Sequence, residues 1–161
     1  MVSGSYTIRR ATLDDAQGIA EVIASVEPEL VVSEVDADER RDRIRWLIET
    51  EQNVWFVAEA DGRIVGELAL ALGDPAPASL GLSVSPSWRK RGIGASLLRH
   101  ALEWASAHAV HKIAADVFPE NVTALSLLEK HGFEEEGRLR SHYRREKGEA
   151  RDAVLLGLVV S

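Results

Sequence analysis

The sequence predicts a single α/β domain in which a mixed, mostly antiparallel sheet of about seven strands is flanked by four helices. Its 161 residues suit one hydrophobic core, so we expect residues 1–161 to form one domain. Two extended runs flank Asp61-Gly62, which predicts an antiparallel hairpin. Farther along, a helical segment separates two short extended runs, which predicts a parallel pair of strands.

Hydrophobic periodicity and turn residues place each element in order. The first strand is predicted at 6–10, where apolar and polar residues alternate, and Thr12 could cap the helix predicted at 14–26. A second helix is expected after Asp36, because Asp36 with Glu39 has the spacing of a capping box. The remaining elements are predicted as strands at 53–60, 63–72 and 79–84, a helix at 92–108, a strand at 112–117, a helix at 121–131, and strands at 133–139 and 151–159.

Composition excludes several classes of protein. The chain has 19 basic and 26 acidic residues, a formal net charge of −7, and is a poor nucleic-acid binder. The acidic balance could steer cationic substrates or simply keep the protein soluble. The chain has no cysteine, and its five histidines are scattered, so no metal site is expected. It lacks an apolar run of membrane-spanning length and a secretory signal pattern, so we expect a cytoplasmic protein without a membrane partner.

The most informative segment joins the end of the 79–84 strand to the start of the next helix. Three basic residues, Arg89, Lys90 and Arg91, precede two glycines, Gly92 and Gly94, at which the helical pattern begins. The first turn of a helix has free backbone N–H groups and partial positive charge, and glycines let an anion approach them. A basic turn or a glycine turn alone would be ordinary surface. Their position between strand and helix predicts a pyrophosphate site.

Other phosphate-binding motifs fit less well. The Gly-Lys-Ser/Thr of the P-loop is absent, and Leu97 stands where the dinucleotide fingerprint needs its third glycine. Asp116 lies at the distance where that fingerprint expects an acidic residue. It belongs to an alternating strand pattern, however, so we interpret the match as chance.

Two motifs resemble the GCN5-related N-acetyltransferase (GNAT) family. Arg89-x-x-Gly92-x-Gly94 after a strand is similar to the acetyl-CoA signature of that family, and the element order resembles it over nearly the whole chain. The segment 148–156 is similar to the branch that contains ribosomal-protein alanine, amino-acid and phosphinothricin-type acetyltransferases. The second motif resembles the family's NxxAxxLYEKxGF helix and runs Asn121-x-x-Ala124-Leu125-x-Leu127-Leu128-Glu129-Lys130-His131-Gly132-Phe133.

The resemblance implies an enzyme that moves the acetyl group of acetyl-CoA to a primary amine by direct attack on the thioester, without a metal. The acceptor would be a small molecule, an amino acid or a protein N-terminus. In the family the strand before the turn splays from its parallel neighbour, and the pantetheine arm lies in the gap. The residues that would bind the cofactor here are Leu82, Ser83 and Val84 along the arm, Arg89, Lys90, Arg91, Gly92, Ile93, Gly94 and Ala95 around the pyrophosphate, and Asn121, which could also simply cap its helix.

The acid and base depart from the family pattern. The Val84 N–H is the oxyanion donor that the resemblance implies. The usual helix tyrosine is Leu128, which cannot protonate a thiolate, and the carboxylate often found near the start of the splayed strand is Ser79. Tyr143 could supply the proton from the final loop, or water could serve.

Glu67 is the candidate general base. It is the single acid in the apolar run 64–70, and burial would raise the pKa of its carboxyl towards neutrality. It could equally point to solvent from an antiparallel strand.

Two further hypotheses and two open points remain. Because Leu128 and Ser79 depart from the pattern, the chain could be a catalytically silent acyl-CoA-binding regulatory module, and a nucleotide-binding domain is the third hypothesis. Glu29 and Glu34 could attract an amine or be surface charge. The apolar segment 154–160 could pair across a homodimer or lie within one chain.

Overall fold

The computed structural model describes residues 4–26, 35–144 and 148–160, and it contains the predicted elements in the predicted order. No helix in these ranges is long and apolar enough to cross a membrane. Short 3-10 turns lie at Leu13–Asp15 and Pro86–Trp88. The elements are β1 (Thr7–Arg10), α1 (Ala16–Ser25), α2 (Ala37–Glu49), β2 (Asn53–Ala60), β3 (Arg63–Ala71), β4 (Ala78–Val84), α3 (Ile93–Ala107), β5 (Lys112–Val117), α4 (Val122–Lys130), β6 (Glu134–Arg144) and β7 (Ala150–Val159).

A seven-stranded sheet in the order β1-β2-β3-β4-β5-β7-β6 forms the centre of the fold. Every neighbouring pair is antiparallel except β4 and β5, which are parallel because α3 connects them. The mixed sheet and its parallel pair are therefore as the sequence predicts.

Two apolar layers cover the two faces of the sheet. On one face, which we call the α1 face, α1 and α2 pack on Trp55 and Val57 of β2. On the other, the α3 face, α3 and α4 bury the larger cluster. Asp36 caps α2, since its carboxylate accepts hydrogen bonds from the N–H groups of Asp38 and Glu39.

The parallel pair separates after its first two residues. β4 and β5 are in register only at Ala78–Ile113 and Ser79–Ala114. β4 then runs on to Val84 and β5 to Val117. The two strands therefore diverge, and the splayed pair expected from the family resemblance is present.

The end of the chain differs from the sequence prediction in length. β6 extends to Arg144, well beyond the predicted end at 139, and contains two irregularities in its register with β7. Tyr143 is therefore part of a strand and not of a loop, because cross-strand pairing continues through it to Arg151. β7 lies between β5 and β6, so 154–159 pairs within this chain.

Candidate active site

The gap between β4 and β5 is a cavity of about 210 Å³. Leu80 and Leu82 form its β4 side and pack with the cluster on the α3 face. Its other lining residues are Gly81, Ala115, Asp116, Val117, Phe118, Asn121, Ala124, Leu127 and Leu128. The walls are thus mainly apolar, and Asp116 and Asn121 are the side chains among them that bear polar groups.

The backbone of β4 is oriented by its pairing with β3. The N–H of Ser85 donates to the carbonyl of Val65 at 2.9 Å, so it points to β3. Since successive residues of a strand direct their backbone groups to opposite sides, Val84 and Leu82 direct theirs into the gap. Ser83 directs its backbone groups to β3. Of the three β4 residues predicted to bind the pantetheine arm, it is therefore the one whose main chain faces away from the gap.

The predicted phosphate-binding turn is a helix N-terminus with free donors. Gly92 is the N-cap of α3 and has a φ of +81°, a left-handed conformation that favours glycine. The first intrahelical hydrogen bond runs from the N–H of Ser96 to the carbonyl of Gly92. The N–H groups of Ile93, Gly94 and Ala95 therefore have no acceptor within the helix.

The second glycine has a packing role that the sequence does not reveal. A Cβ on Gly94 would lie 3.2 Å from Leu127 Cδ2, so the glycine lets α4 approach the first turn of α3. The side chain of Ile93 is 1% exposed, and only its backbone can contact a ligand.

The basic residues of the turn have different surroundings. The Nε–H of Arg89 donates to the Val84 carbonyl at 3.3 Å and links the turn to β4. The guanidinium of Arg91 lies 4.4 Å from the ring centre of Trp88, which is buried in the core. Arg89, Lys90 and Arg91 are all exposed, so their charges surround the helix N-terminus.

Asn121 and Leu128 lie on α4 beside the gap. The Asn121 side chain accepts a hydrogen bond from the N–H of Ala124 at 3.2 Å, so it caps α4 as well as lining the cavity. Leu128 is 2% exposed and forms apolar wall at the position where the resembling motif has tyrosine.

Glu67 is buried, and not directed to solvent. Its side chain is 3% exposed and accepts a 2.9 Å hydrogen bond from the indole N–H of Trp55. Burial raises the pKa of its carboxyl to about 7, although hydrogen bonds from Trp55 and Ser83 lower it in part. A carboxyl with that pKa can gain and lose a proton near neutral pH.

Tyr143 forms a hydrogen-bonded pair with Asp116. The phenol donates to Asp116 Oδ2 at 2.5 Å, and the Tyr143 ring packs edge-on against Phe118. Burial and the adjacent carboxylate raise the pKa of Tyr143 to about 12, so the phenol stays protonated at neutral pH. Sequence reasoning set Asp116 aside, although an acid near the carboxyl end of a parallel strand is a recognisable signal of a ligand site.

Glu67 and Asp116 lie on the same face of the sheet, on opposite sides of the gap. Glu67 pairs in register with Ser83, so both side chains are on the α1 face. Ser79 pairs with Ala114, which places Asp116, two residues later, on that face as well. The predicted acidic residues Glu29 and Glu34 lie outside the described residues.

Comparisons with known proteins agree with this geometry. The family model described as Acetyltransferase (GNAT) family matches residues 19–133. The chain belongs to the GNAT family. It is therefore an N-acetyltransferase that depends on acetyl-CoA.

One curated relative and two solved structures match this chain over nearly their full length. The L-amino acid N-acetyltransferase AaaT of Escherichia coli (strain K12) is 28% identical over 160 residues, which are 94% of this chain and 96% of the relative. An N-acetyltransferase from Staphylococcus aureus Mu50 has the same fold, with a TM-score of 0.85 at 20% identity over 98% and 99% of the two chains. YncA from Salmonella typhimurium, whose structure was determined with its cofactor acetyl-CoA, aligns with a TM-score of 0.84 at 19% identity over 98% and 95%.

The residues present fit acetyl-CoA. Leu82 and Val84 direct backbone groups into the gap, where β5 is too far away to pair with them. An extended pantetheine arm could therefore pair with these groups as a strand does. The free N–H groups of α3 and the exposed basic residues adjoin this gap and suit a pyrophosphate. Within residues 4–26, 35–144 and 148–160, no cluster of three or more His, Cys, Asp or Glu side chains could hold a metal ion.

Proposed function

We propose that this enzyme acetylates the primary amine of a small molecule, an amino acid or a protein N-terminus that reaches the gap from the α1 face. The observation that carries the proposal is the position of the gap beside the N-terminus of α3, where Leu82 and Leu127 of the gap lie next to Gly94. Relatives named for L-amino acids, for the alanine of ribosomal protein bS18 and for aminoglycosides support an amine acceptor of this range.

The α1 face would be the entry side, because α3 and α4 cover the other face of the sheet. On the α3 face, Leu82 and Val84 pack against the larger apolar cluster. On the α1 face, Gly81 is exposed and Ser83 is half-buried. Asp116 is also exposed there, and its negative charge would attract an ammonium group before it loses its proton.

The cofactor would be held mainly by the backbone. Leu82 and Val84 would pair with the pantetheine arm, and the N–H groups of Gly92, Gly94 and Ala95 would bind the pyrophosphate. The exposed side chains of Arg89, Lys90 and Arg91 would add positive charge, and Asn121 would bind at the opposite wall.

Acetyl transfer requires a neutral amine, a donor to the thioester carbonyl and a proton for the departing sulfur. The Val84 N–H, directed into the gap, would donate to the carbonyl oxygen as it gains negative charge. Glu67 would take up the proton that the amine loses, because the pKa of its carboxyl is close to neutral. Tyr143, protonated at neutral pH and held by Asp116, would supply the proton to sulfur in place of the missing helix tyrosine.

The experiment is release of free CoA thiol from acetyl-CoA in the presence of amino acids, polyamines, aminoglycosides or short peptides. Because the chain has no cysteine, a thiol reagent reacts only with the product. Release that depends on one amine class supports the enzyme and identifies its acceptor. Thermal stabilisation by CoA without release would mean that the acceptor lies outside the amines tested. Absence of both release and stabilisation would contradict the proposal.

A further inference from the structure

Ser83 lies between the buried Glu67 and the gap, on the strand that borders the gap. The two residues are register partners on adjacent strands, and their side chains share the α1 face. The Trp55 indole donates to Glu67 Oε2 at 2.9 Å, and hydrogen bonding from Ser83 is among the causes that lower the pKa of the Glu67 carboxyl. Ser83 is half-buried, in contrast to the 3% exposure of Glu67.

This arrangement resolves a difficulty with Glu67 as a base. A carboxylate that is 3% exposed, on the face where α1 and α2 pack, leaves almost no surface at which an amine could approach it. The residue between Glu67 and the gap is Ser83, whose chain neighbours Leu82 and Val84 direct their backbone into that gap. A hydroxyl can accept one proton and donate another at the same time.

We propose that Ser83 is a proton relay, which connects the amine attacking in the gap with the buried carboxylate of Glu67. The inference rests on the proposed function. The ammonium N–H bond breaks as its proton passes to Ser83 Oγ, and the Ser83 hydroxyl proton passes to the Glu67 carboxylate. The nitrogen keeps its electron pair for attack on the thioester carbonyl, and Glu67 ends as a neutral acid that returns the proton to solvent after product leaves.

Among the groups that surround Glu67, Ser83 provides its polar connection to the gap. On β2, its register partner is Val57, and Trp55 supplies one neutral N–H. On α1, the charged residue is Glu21, which is exposed. The charged side chains of α2 between Asp38 and Glu49 are exposed or half-buried, and none of them contributes to the pKa shift of Glu67.

The test is a pH–rate profile between about pH 6 and pH 9 for wild type, Ser83→Ala, Ser83→Thr, Glu67→Gln and the double variant, with the acceptor found by thiol release. Ser83→Ala should lower kcat about 100-fold and leave the KM for acetyl-CoA unchanged, as expected for loss of proton transfer alone. Ser83→Thr retains the hydroxyl and should retain most of the rate. The double variant should be no slower than the slower single variant, because both changes interrupt one path.

Ser79→Ala is the matched control. Ser79 lies on the same strand and the same face, four residues before Ser83, and pairs in register with Ala71. This variant should keep the wild-type rate. An infrared titration of the Glu67 carboxyl adds a readout without turnover: its midpoint should rise in Ser83→Ala, because the lost hydrogen bond lowered that pKa.

Each contrary outcome has a separate meaning. Wild-type kcat in Ser83→Ala, or losses that multiply in the double variant, overturns the relay and leaves the proposed function intact. An unchanged infrared midpoint in Ser83→Ala overturns the contact on which the relay depends. Absence of thiol release by the wild type with every amine overturns the proposed function and the relay together.

Discussion

Trp55 donates its indole N–H to Glu67 Oε2 over 2.9 Å inside the core, so an ionisable side chain is held where charge is unfavourable. Burial raises the pKa of the Glu67 carboxyl from 4.5 to about 7 in the folded chain. Between these values the folded state binds a proton that the unfolded state has released. The contribution of Glu67 to stability is therefore greatest at low pH and is lost as pH rises through 7.

Glu67→Gln should remove this pH dependence. Relative to wild type, the variant should gain about 3 kcal/mol in free energy of unfolding between about pH 5 and pH 8, the equivalent of the shift in pKa. Urea unfolding at both pH values measures the difference. If the free energies of unfolding of the two proteins change equally with pH, Glu67 ionises as it does in water.

Gly92→Ala should weaken CoA binding, because Gly92 has a φ of +81° and sets the direction of the N–H groups that follow. We expect about 1–2 kcal/mol of destabilisation from the strained backbone and a rise of about tenfold in the Kd for CoA. Calorimetric titration with CoA and urea unfolding measure the two effects.

Gly62→Ala is the control for that variant. Gly62 has a φ of +72° in the β2–β3 turn, with open space where a Cβ would lie. It should lose similar stability while the Kd for CoA stays at the wild-type value. Equal Kd values for CoA in the two variants would mean that the N-terminus of α3 does not hold the cofactor.

The sequence was sufficient for features that depend on local pattern. Asp61-Gly62 predicts its hairpin because few residues adopt the left-handed turn, and the glycines after Lys90 locate the start of α3. The parallel pairing of β4 and β5 follows from their connection through a helix, because neighbouring strands joined in this way run in the same direction.

Features that depend on partners distant in sequence were not predictable. Alternation could not decide whether Glu67 is buried, because helices cover both faces of β3 and both faces therefore read as apolar. Tyr143 reaches Asp116, which lies 27 residues earlier in the chain, and only the continued pairing of β6 with β7 brings them together. The polar sequence after Leu139 has the composition of a loop, and cross-strand pairing overrides it.

Arg89→Gln should weaken CoA binding in a salt-dependent manner. Arg89 is exposed beside the free N–H groups of α3, so it contributes attraction that dissolved ions screen. We expect a rise of about fivefold in Kd at low ionic strength, or about 1 kcal/mol, that diminishes as salt is added. Arg138→Gln removes an equal charge from β6, where Arg138 pairs with Glu135, and should leave the Kd unchanged. The same loss at every salt concentration would indicate that Arg89 acts through its hydrogen bond to Val84 instead.

Asp116→Asn should lower the pKa of the Tyr143 phenol. Burial is the larger cause of its rise to about 12, and the Asp116 carboxylate is the second, so the variant should titrate below wild type but still above 10. Absorbance of the phenolate follows the titration, and the chain has two tyrosines, so Tyr143→Phe supplies the background from the other.

In thiol release, Tyr143→Phe should lower kcat about tenfold or more if the phenol protonates the departing sulfur. A Tyr143→Phe variant with wild-type kcat, alongside an Asp116→Asn variant with the expected pKa change, would leave the pair as a structural contact and assign the proton to water.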